Sequence, residues 1–460
     1  MHTQRVAIIG AGLTGMSAAY ALAKAGVTVH VYEAAAHVGG LTRSFRLWDE
    51  TVDLGPHIFA GYDPAALSLW MEVIGPEFRM LPRDTRIAIA GRVYRYPLAP
   101  GALLCGLGAL GTLRAGLGYV RAQLTPAGPV DSARYFFTRR FGTYLYGLFF
   151  RPYCQKLWGL DPAEVDASFA AALVGDISIG RALLNRLKGR VGAREASLQT
   201  SFPYALRGAG AFCERAAKLV AQRGGQVKLG APVSRLVTSG DRVTGVMVGD
   251  TQHNYDWTIS TMPLTALVPK LGEVSPPVER ARTRLRFRSA VLVYLRVRGR
   301  SVLPCLWMYV NDGSAAGRIT NFARWQGRDD ADRQTIAVEY WCARGDDTYG
   351  ADDPTIIARA TWDLRRAVEQ VDLIVEDGFV VRVPTAHPVL YRGYHADVAL
   401  LSRQVARYDG LSVVGRGGGY VYDAQASALQ EGLATARRVA DVVRAQRAHA
   451  PAAELLDAGE

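Results

Sequence analysis

Val6-Ala7-Ile8-Ile9-Gly10-Ala11-Gly12-Leu13-Thr14-Gly15, near the start of a 460-residue chain, reads as a buried strand running straight into a glycine-rich turn. The apolar, β-branched run suits a strand covered on both faces. Met16 to Gly26 follows as an Ala-rich helix, and Val27 to Tyr32 as a second strand ending on Glu33. Each part has a physical task. Gly10 permits the tight turn, Gly12 lets backbone approach a pyrophosphate, and Gly15 lets helix and strand pack closely. The helix start, Leu13 and Thr14, offers unpaired N–H groups and the positive end of a dipole to phosphate. Glu33, about twenty residues beyond the glycines, is placed to accept hydrogen bonds from a ribose diol. These parts arrive in the order that a dinucleotide site requires, which a lone glycine turn does not supply.

Working outward, Gly39-Gly40-Leu41-Thr42 extends the motif after Glu33. This Glu-x5-Gly-Gly extension resembles FAD-binding flavoproteins, where a second backbone turn touches the pyrophosphate, and most NAD dehydrogenases lack it. FAD is the cofactor this implies. The far end repeats the opening pattern: Leu411–Val414 as a strand, Gly415–Gly419 as a glycine turn, and Ala424–Arg447 as a helix. Leu429, Leu433, Ala436, Val439 and Val443 make one apolar stripe on that helix. Both ends of the chain therefore build one cofactor domain, with another domain inserted between them.

The middle divides by period. Asp131 to Ala172 reads as helices, with Phe136, Phe137, Phe141, Leu145, Leu148 and Phe149 on a buried face. Phe202 to Val220 becomes a further amphipathic helix. Short strands follow at 226–229, 233–237, 243–248 and 257–261, separated by Gly and Asp turns. Ser289–Val297, Leu306–Val310, Arg318–Phe322 and Ile336–Cys342 alternate as an antiparallel sheet with one buried face does.

Composition narrows the function. Apolar residues are 49% and charged residues 21%, an ordinary globular balance. The net charge of +12 comes without a basic run or an aromatic-interleaved basic stripe, which argues against a nucleic-acid partner. Five unclustered cysteines (105, 154, 213, 305 and 342) fit a reducing cytoplasm and give no metal or disulfide frame. A strand that begins near residue 6 leaves no room for a signal peptide, so a cytoplasmic location is expected. Leu98 to Thr112 is apolar, but Arg114 and Arg121 leave the run too short to span a bilayer. It is read as a buried core helix in preference to a membrane contact.

With Asp53-Leu54-Gly55-Pro56-His57-Ile58-Phe59, and Gly415-Arg416 followed by Tyr420 and Tyr422, the chain resembles the flavoprotein superfamily of amine oxidases, protoporphyrinogen oxidases, phytoene desaturases and UDP-galactopyranose mutases. Gly55-x-His57-Ile58-Phe59 and Pro152–Gly159 are similar to the mutases. Gly91–Leu98, Gly317–Phe322 and Val381–Pro384 resemble bacterial protoporphyrinogen oxidase-like proteins. The resemblance implies an α/β fold: a Rossmann-type (GR2-like) FAD domain with an interleaved α+β substrate domain of helices and antiparallel sheet. Residues 1–95, 205–275 and 385–447 are assigned to the FAD domain, and 96–204 and 276–384 to the substrate domain. Residues 448–460 form a frayed tail.

The same resemblance assigns roles. Gly55, Pro56 and His57 floor the flavin, Val233 joins the cofactor set, and Gly415-Arg416 reaches it from the far end. Arg318, Arg416 and Tyr422 face the substrate and, with His57, form the catalytic set. Trp158, Tyr340 and Tyr420 add substrate-binding aromatic surface. Two departures from the mutases stand out: Ala171–Val174 lacks their basic side chain, and Ala424 replaces an acid that here stands one place earlier, at Asp423. The expected activity is an FAD-dependent oxidoreductase acting on a small organic molecule bound over the flavin, with no metal. The alternative is a mutase-like isomerase of a phosphate-bearing nucleotide sugar.

Overall fold

The Val6–Ile9 run forms the strand Arg5–Ile9 at the centre of a five-stranded parallel sheet. Across that sheet the order is Leu411–Val413, Trp257–Ser260, Arg5–Ile9, Thr28–Tyr32 and Gln226–Lys228. The computed structural model describes residues 4–61, 63–89, 91–96, 100–126, 128–174, 200–328 and 331–448. Leu98 and Ala99, and tail residues 449–460, lie outside them. Strands from both ends of the chain thus share one sheet, as the two glycine turns imply.

The helix Leu13–Lys24 starts directly on the first turn, with Gly12 as its N-cap. The last helix, Gln425–Ala448, lays Leu429, Leu433, Ala436, Val439 and Val443 into the same core. Contact between the two helices is close at Gly432. A Cβ there would sit 2.0 Å from Ser17 Oγ and 2.3 Å from Thr14 O. Ser17 Oγ in turn lies 3.2 Å from Leu429 O, joining the helices across 412 residues of sequence.

The second domain is built on a seven-stranded sheet. Its order is Ile374–Pro388, Phe287–Arg298, Arg333–Cys342, Arg318–Asn321, Trp307–Asn311, Thr85–Ile89 and Arg92–Tyr96. All pairings are antiparallel except that of Trp307–Asn311 with Thr85–Ile89. The four strands expected between 289 and 342 are present. Two features differ from the sequence reading. Thr85–Ile89 and Arg92–Tyr96, placed within cofactor segment 1–95, hydrogen-bond into this sheet instead, because Trp307–Asn311 supplies their partner. The long edge strand Ile374–Pro388 was not anticipated.

One face of this sheet packs Val291, Val293, Val338 and Tyr340 against Ile356, Ala360 and Leu364 of the helix Asp353–Ala367. The other face carries Leu292, Tyr294, Ala337 and Trp341 into the large core shared with the Phe-rich helices. Those helices are Ala133–Leu145, Arg151–Trp158 and Ala167–Val174. A π-helical turn, Tyr146–Phe150, lies between the first two and stacks Phe150 on Phe137 and Phe141, at 4.1 and 4.8 Å. Phe202 belongs to a strand, Ser201–Ala205, and the helix begins later, at Ala211–Gln222.

The apolar stretch after residue 98 corrects the reading of a buried helix at its C-terminal end, the side chains of 98–105 lying outside the described residues. Pro100–Leu124 is helical with a break at Gly108 (φ 68°), and Leu110 and Leu113 are exposed. No helix among the described residues is long and apolar enough to cross a membrane.

Gly432→Ala tests the joining of the two ends. Overpacking against the Thr14 backbone is expected to lower the unfolding free energy by about 1–3 kcal/mol in urea titration.

Candidate active site

Three glycines of the first turn are required for different reasons. Gly10 has φ 103°, and a Cβ there would lie 2.2 Å from Thr261 Oγ1; one at Gly15 would lie 2.0 Å from Gly10 O. Both are demanded by the protein's own packing. Gly12 is not. Its φ of −75° suits any residue, and a Cβ added there meets no protein atom within 4 Å. Bare backbone at that position serves approach by another molecule, as a pyrophosphate needs.

A second turn closes over the first. Gly39 N–H donates to Ala11 O at 2.9 Å, and a Cβ on Gly40 would lie 3.2 Å from Gly12 Cα. Thr42 Oγ1 donates to Gly39 O at 2.9 Å and holds this turn, with Leu41 packed on the core. Glu33 accepts from Ala11 N–H at 2.7 Å and Ala35 N–H at 2.9 Å, so its carboxylate sits beside the glycines. Ala231 N–H donates to Glu33 O at 2.8 Å, which brings buried Val233 into the same region. From the far end, Gly415 (φ 82°) lies so close to Thr14 that a Cβ would be 3.3 Å from its Oγ1. The Gly415 turn forms its own one-turn helix, Gly415–Gly418, separate from the long helix that starts at Gln425. Its expected place at the N-terminus of the last helix is corrected accordingly. Two stacked backbone turns, an acid and a Gly12 whose Cβ direction is clear fit FAD, whose dinucleotide Gly10–Gly15, Gly39–Thr42 and Glu33 would hold.

Beyond this cradle lies the Asp53–His57 turn. Asp53 is fully buried and accepts from Ser44 Oγ (2.5 Å), Tyr204 OH (2.9 Å) and Ala209 N–H (3.1 Å). Burial pushes its carboxyl up to about 6 despite these donors. Gly55 has φ 89°, and a Cβ there would lie 3.1 Å from Glu339 Oε2 and 3.2 Å from Arg318 Nη2. The Gly55-Pro56 turn therefore rests directly on an ion pair. His57 Nδ1 lies 2.9 Å from Gly55 O, which fixes that nitrogen as the N–H donor and leaves Nε2 as an acceptor. Burial, then the Arg318 and Arg416 charges, push this imidazole down to about 3.

Arg318 and Glu339 face each other on adjacent strands. The guanidinium donates from Nε to Oε2 at 2.9 Å and from Nη2 to Oε1 at 2.9 Å, a bidentate clamp. Trp341 Nε1 adds a bond to Glu339 Oε1 at 2.6 Å. Arg416 is held by Asp423, Nε to Oδ1 at 2.8 Å and Nη2 to its carbonyl at 2.6 Å. Asp423, the acid noted in the sequence beside Ala424, thus reaches this arginine. His387 Nδ1 lies 3.3 Å from Arg416 Nη1, and burial holds His387 well below its ordinary range.

Aromatic rings complete the site. Tyr422 lies 5.2 Å from His387 and 5.6 Å from Trp158, centroid to centroid. Tyr153 meets Tyr309 and Trp341 edge-on, each at 5.8 Å. Lys156 anchors the helix carrying Trp158 by donating to Val310 O (2.7 Å) and Ala316 O (3.0 Å), and burial lowers its amine to about 8.

Two expected substrate residues lie elsewhere. Tyr340 points to the opposite face of the sheet, where its hydroxyl donates to Asp363 at 2.7 Å. Tyr420 is fully buried, with its hydroxyl bonded to Arg286 O at 2.6 Å. Glu339, His387, Tyr153 and Tyr309 were missed. For Glu339 a signal existed: strand alternation puts it and Trp341 on one face and Tyr340 on the other.

The family model described as flavin containing amine oxidoreductase matches residues 13–440. The chain belongs to that family. FAD is accordingly the cofactor of this chain, in agreement with the cradle. Its fold is similar to that of reduced UDP-galactopyranose mutase, with a TM-score of 0.80, 20% identity and 96% of each chain covered. Coproporphyrinogen III oxidase of Staphylococcus aureus is 24% identical over 296 residues, 59% of this chain and 63% of that one. An L-amino-acid oxidase of Sistrurus catenatus edwardsii is 53% identical over 55 residues. That segment is 12% of this chain and spans only 11% of the oxidase's length.

Gly12→Val is expected to separate folding from loading. Stability of the flavin-free protein should stay within about 0.5 kcal/mol of the parent, whereas FAD absorbance after reconstitution should be lost. A second outcome concerns pH. His57 is near 3 when folded and 6.5 when unfolded, so its contribution is complete above pH 6.5 and is lost as pH falls toward 3. The slope is about 1.4 kcal/mol per pH unit at most. Asp53, raised from 3.8 to about 6, works in the opposite sense over its own window. The parent and His57→Asn should therefore be compared by urea titration across pH; the variant should lose less stability on acidification.

Proposed function

We propose that this protein is an FAD-dependent oxidoreductase acting on a small, largely uncharged organic molecule bound over the flavin, against the Tyr153, Tyr309, Trp341 and Tyr422 rings. The pairing of both site arginines with carboxylates of the chain carries this reading: Arg318 with Glu339 and Arg416 with Asp423. A diphosphate would meet two guanidinium groups already neutralised, and recruiting them would leave Glu339 and Asp423 without their cationic partners, which is expensive in a buried setting.

FAD, when bound, supplies hydride acceptance and passes the electrons to an acceptor. The chain's residues do the rest. Asp53 and its donors brace the Gly55-Pro56 turn, and the Arg318–Glu339 pair backs it. With an imidazole near 3, His57 serves as a hydrogen-bond partner and not as a general base. The aromatic wall orients a flat or apolar substrate and excludes water.

The isomerase reading draws support from Tyr422 and Trp158, which lie together beside Arg416. One screen separates the two readings. Amines, tetrapyrroles, polyenes and nucleotide sugars are each added to purified, flavin-loaded protein while flavin absorbance is followed without oxygen. An oxidisable organic compound is expected to bleach the flavin and, once oxygen is admitted, to yield peroxide or a reduced alternative acceptor. Ring-size isomerisation of a nucleotide sugar, seen only after dithionite reduction, would overturn the oxidoreductase reading.

A further inference from the structure

The helix after the Gly108 break is built inside out. Its inward face is made of small residues: Gly111 and Ala115 are buried and Gly118 is partly buried. The helix Ala133–Leu145 packs so tightly here that a Cβ on Gly142 would lie 2.6 Å from Tyr119 N. The large apolar side chains point the other way. Leu110, Leu113, Leu117, Val120 and Leu124 are 61%, 58%, 62%, 53% and 79% exposed. Their spacing alternates three and four residues, which at 100° per residue confines all five to an arc of about 80°. Nothing among the described residues covers this stripe.

Charge identifies what does. Arg114 and Arg121 flank the stripe on one side, are exposed, and join no ion pair among the described residues. Residues 91–151 contain eight arginines and a single acid, Asp131, so they carry seven of the chain's twelve net positive charges. Two copies meeting through this face would bring together two strongly basic patches, whereas an anionic lipid surface complements both the charge and the leucines. We propose that residues 109–124 form a membrane-docking helix that seats the protein flat on anionic bilayers. The leucines enter the headgroup–acyl boundary, and the arginines remain at phosphate level. At 1.5 Å per residue the docking face is about 24 Å long, suited to lying in the interface and not to crossing it.

The test is co-sedimentation of the full-length, flavin-loaded protein with vesicles of phosphatidylglycerol mixed with phosphatidylcholine, and with vesicles of phosphatidylcholine alone. Preferential binding to the mixed vesicles, weakening as salt is raised, is expected. Leu113→Ser combined with Leu117→Ser should abolish it, and Arg114→Gln combined with Arg121→Gln should weaken it by roughly 30-fold. All four side chains face solvent, so flavin content and melting temperature serve as folding controls and should match the parent. Failure of the parent to bind the mixed vesicles would overturn the proposal, as would undiminished binding by the leucine variant. So would a concentration-dependent dimer in sedimentation velocity that the leucine variant abolishes, since that assigns the stripe to a second copy.

Discussion

Around the Gly10–Gly15 turn, backbone from remote parts of the chain approaches to distances at which a single added carbon would collide. Gly10 O occupies the space a Cβ on Gly15 would need, and the Thr14 carbonyl occupies that of Gly432. The Gly39-Gly40 turn lies over Gly12, and Gly415 lies against Thr14. This crowding holds the last helix on the first one and lets the second turn sit over the first. The side of Gly12 on which a Cβ would stand is left clear of protein atoms. The shape of this region follows from close backbone packing, with side chains in a supporting part.

At the other end of the cleft the governing term is electrostatic. Two guanidinium groups, two carboxylates and two imidazoles are gathered beside apolar rings. Charges in such a setting are tolerable only when paired and hydrogen-bonded. Arg318 meets Glu339 through two parallel bonds, and Arg416 meets Asp423 through side chain and carbonyl. Burial first, and then the cations already present, hold His57 and His387 neutral. These groups are therefore polar in detail and close to neutral in sum, which is the ground on which an oxidisable organic molecule is proposed over a polyanion.

Local motifs were legible in the sequence and long-range pairings were not. Gly10, Gly12, Gly15, Gly39 and Gly40 meet through backbone, and Glu33 through its carboxylate, within one short stretch of sequence, so their spacing carries the information. Thr85–Ile89 was misplaced because its partner, Trp307–Asn311, lies more than two hundred residues away and nothing local marks the pairing. Tyr340 was chosen for its ring, although period-two alternation assigns the site-facing positions to Glu339 and Trp341. The Leu110 helix was read as buried from composition, which counts leucines without saying which face a neighbour covers. Gly111, Ala115 and Gly118 held that answer, since small residues mark the side where another backbone comes close.

The parallel sheet draws its strands from residues 5–9, 28–32, 226–228, 257–260 and 411–413. During synthesis the nascent polypeptide leaves the ribosome from the N-terminus, and segments fold as their partners emerge. The edge strand Leu411–Val413 and the helix that packs on Leu13–Lys24 are translated after the other strands of that sheet. Until they emerge, the first glycine turn lacks the Gly415 and Gly432 contacts that complete its surroundings. The surroundings of the Gly10–Gly15 turn are therefore complete only once Gly415 and Gly432 have been made, so removal of those residues strips packing from a turn far from the cut.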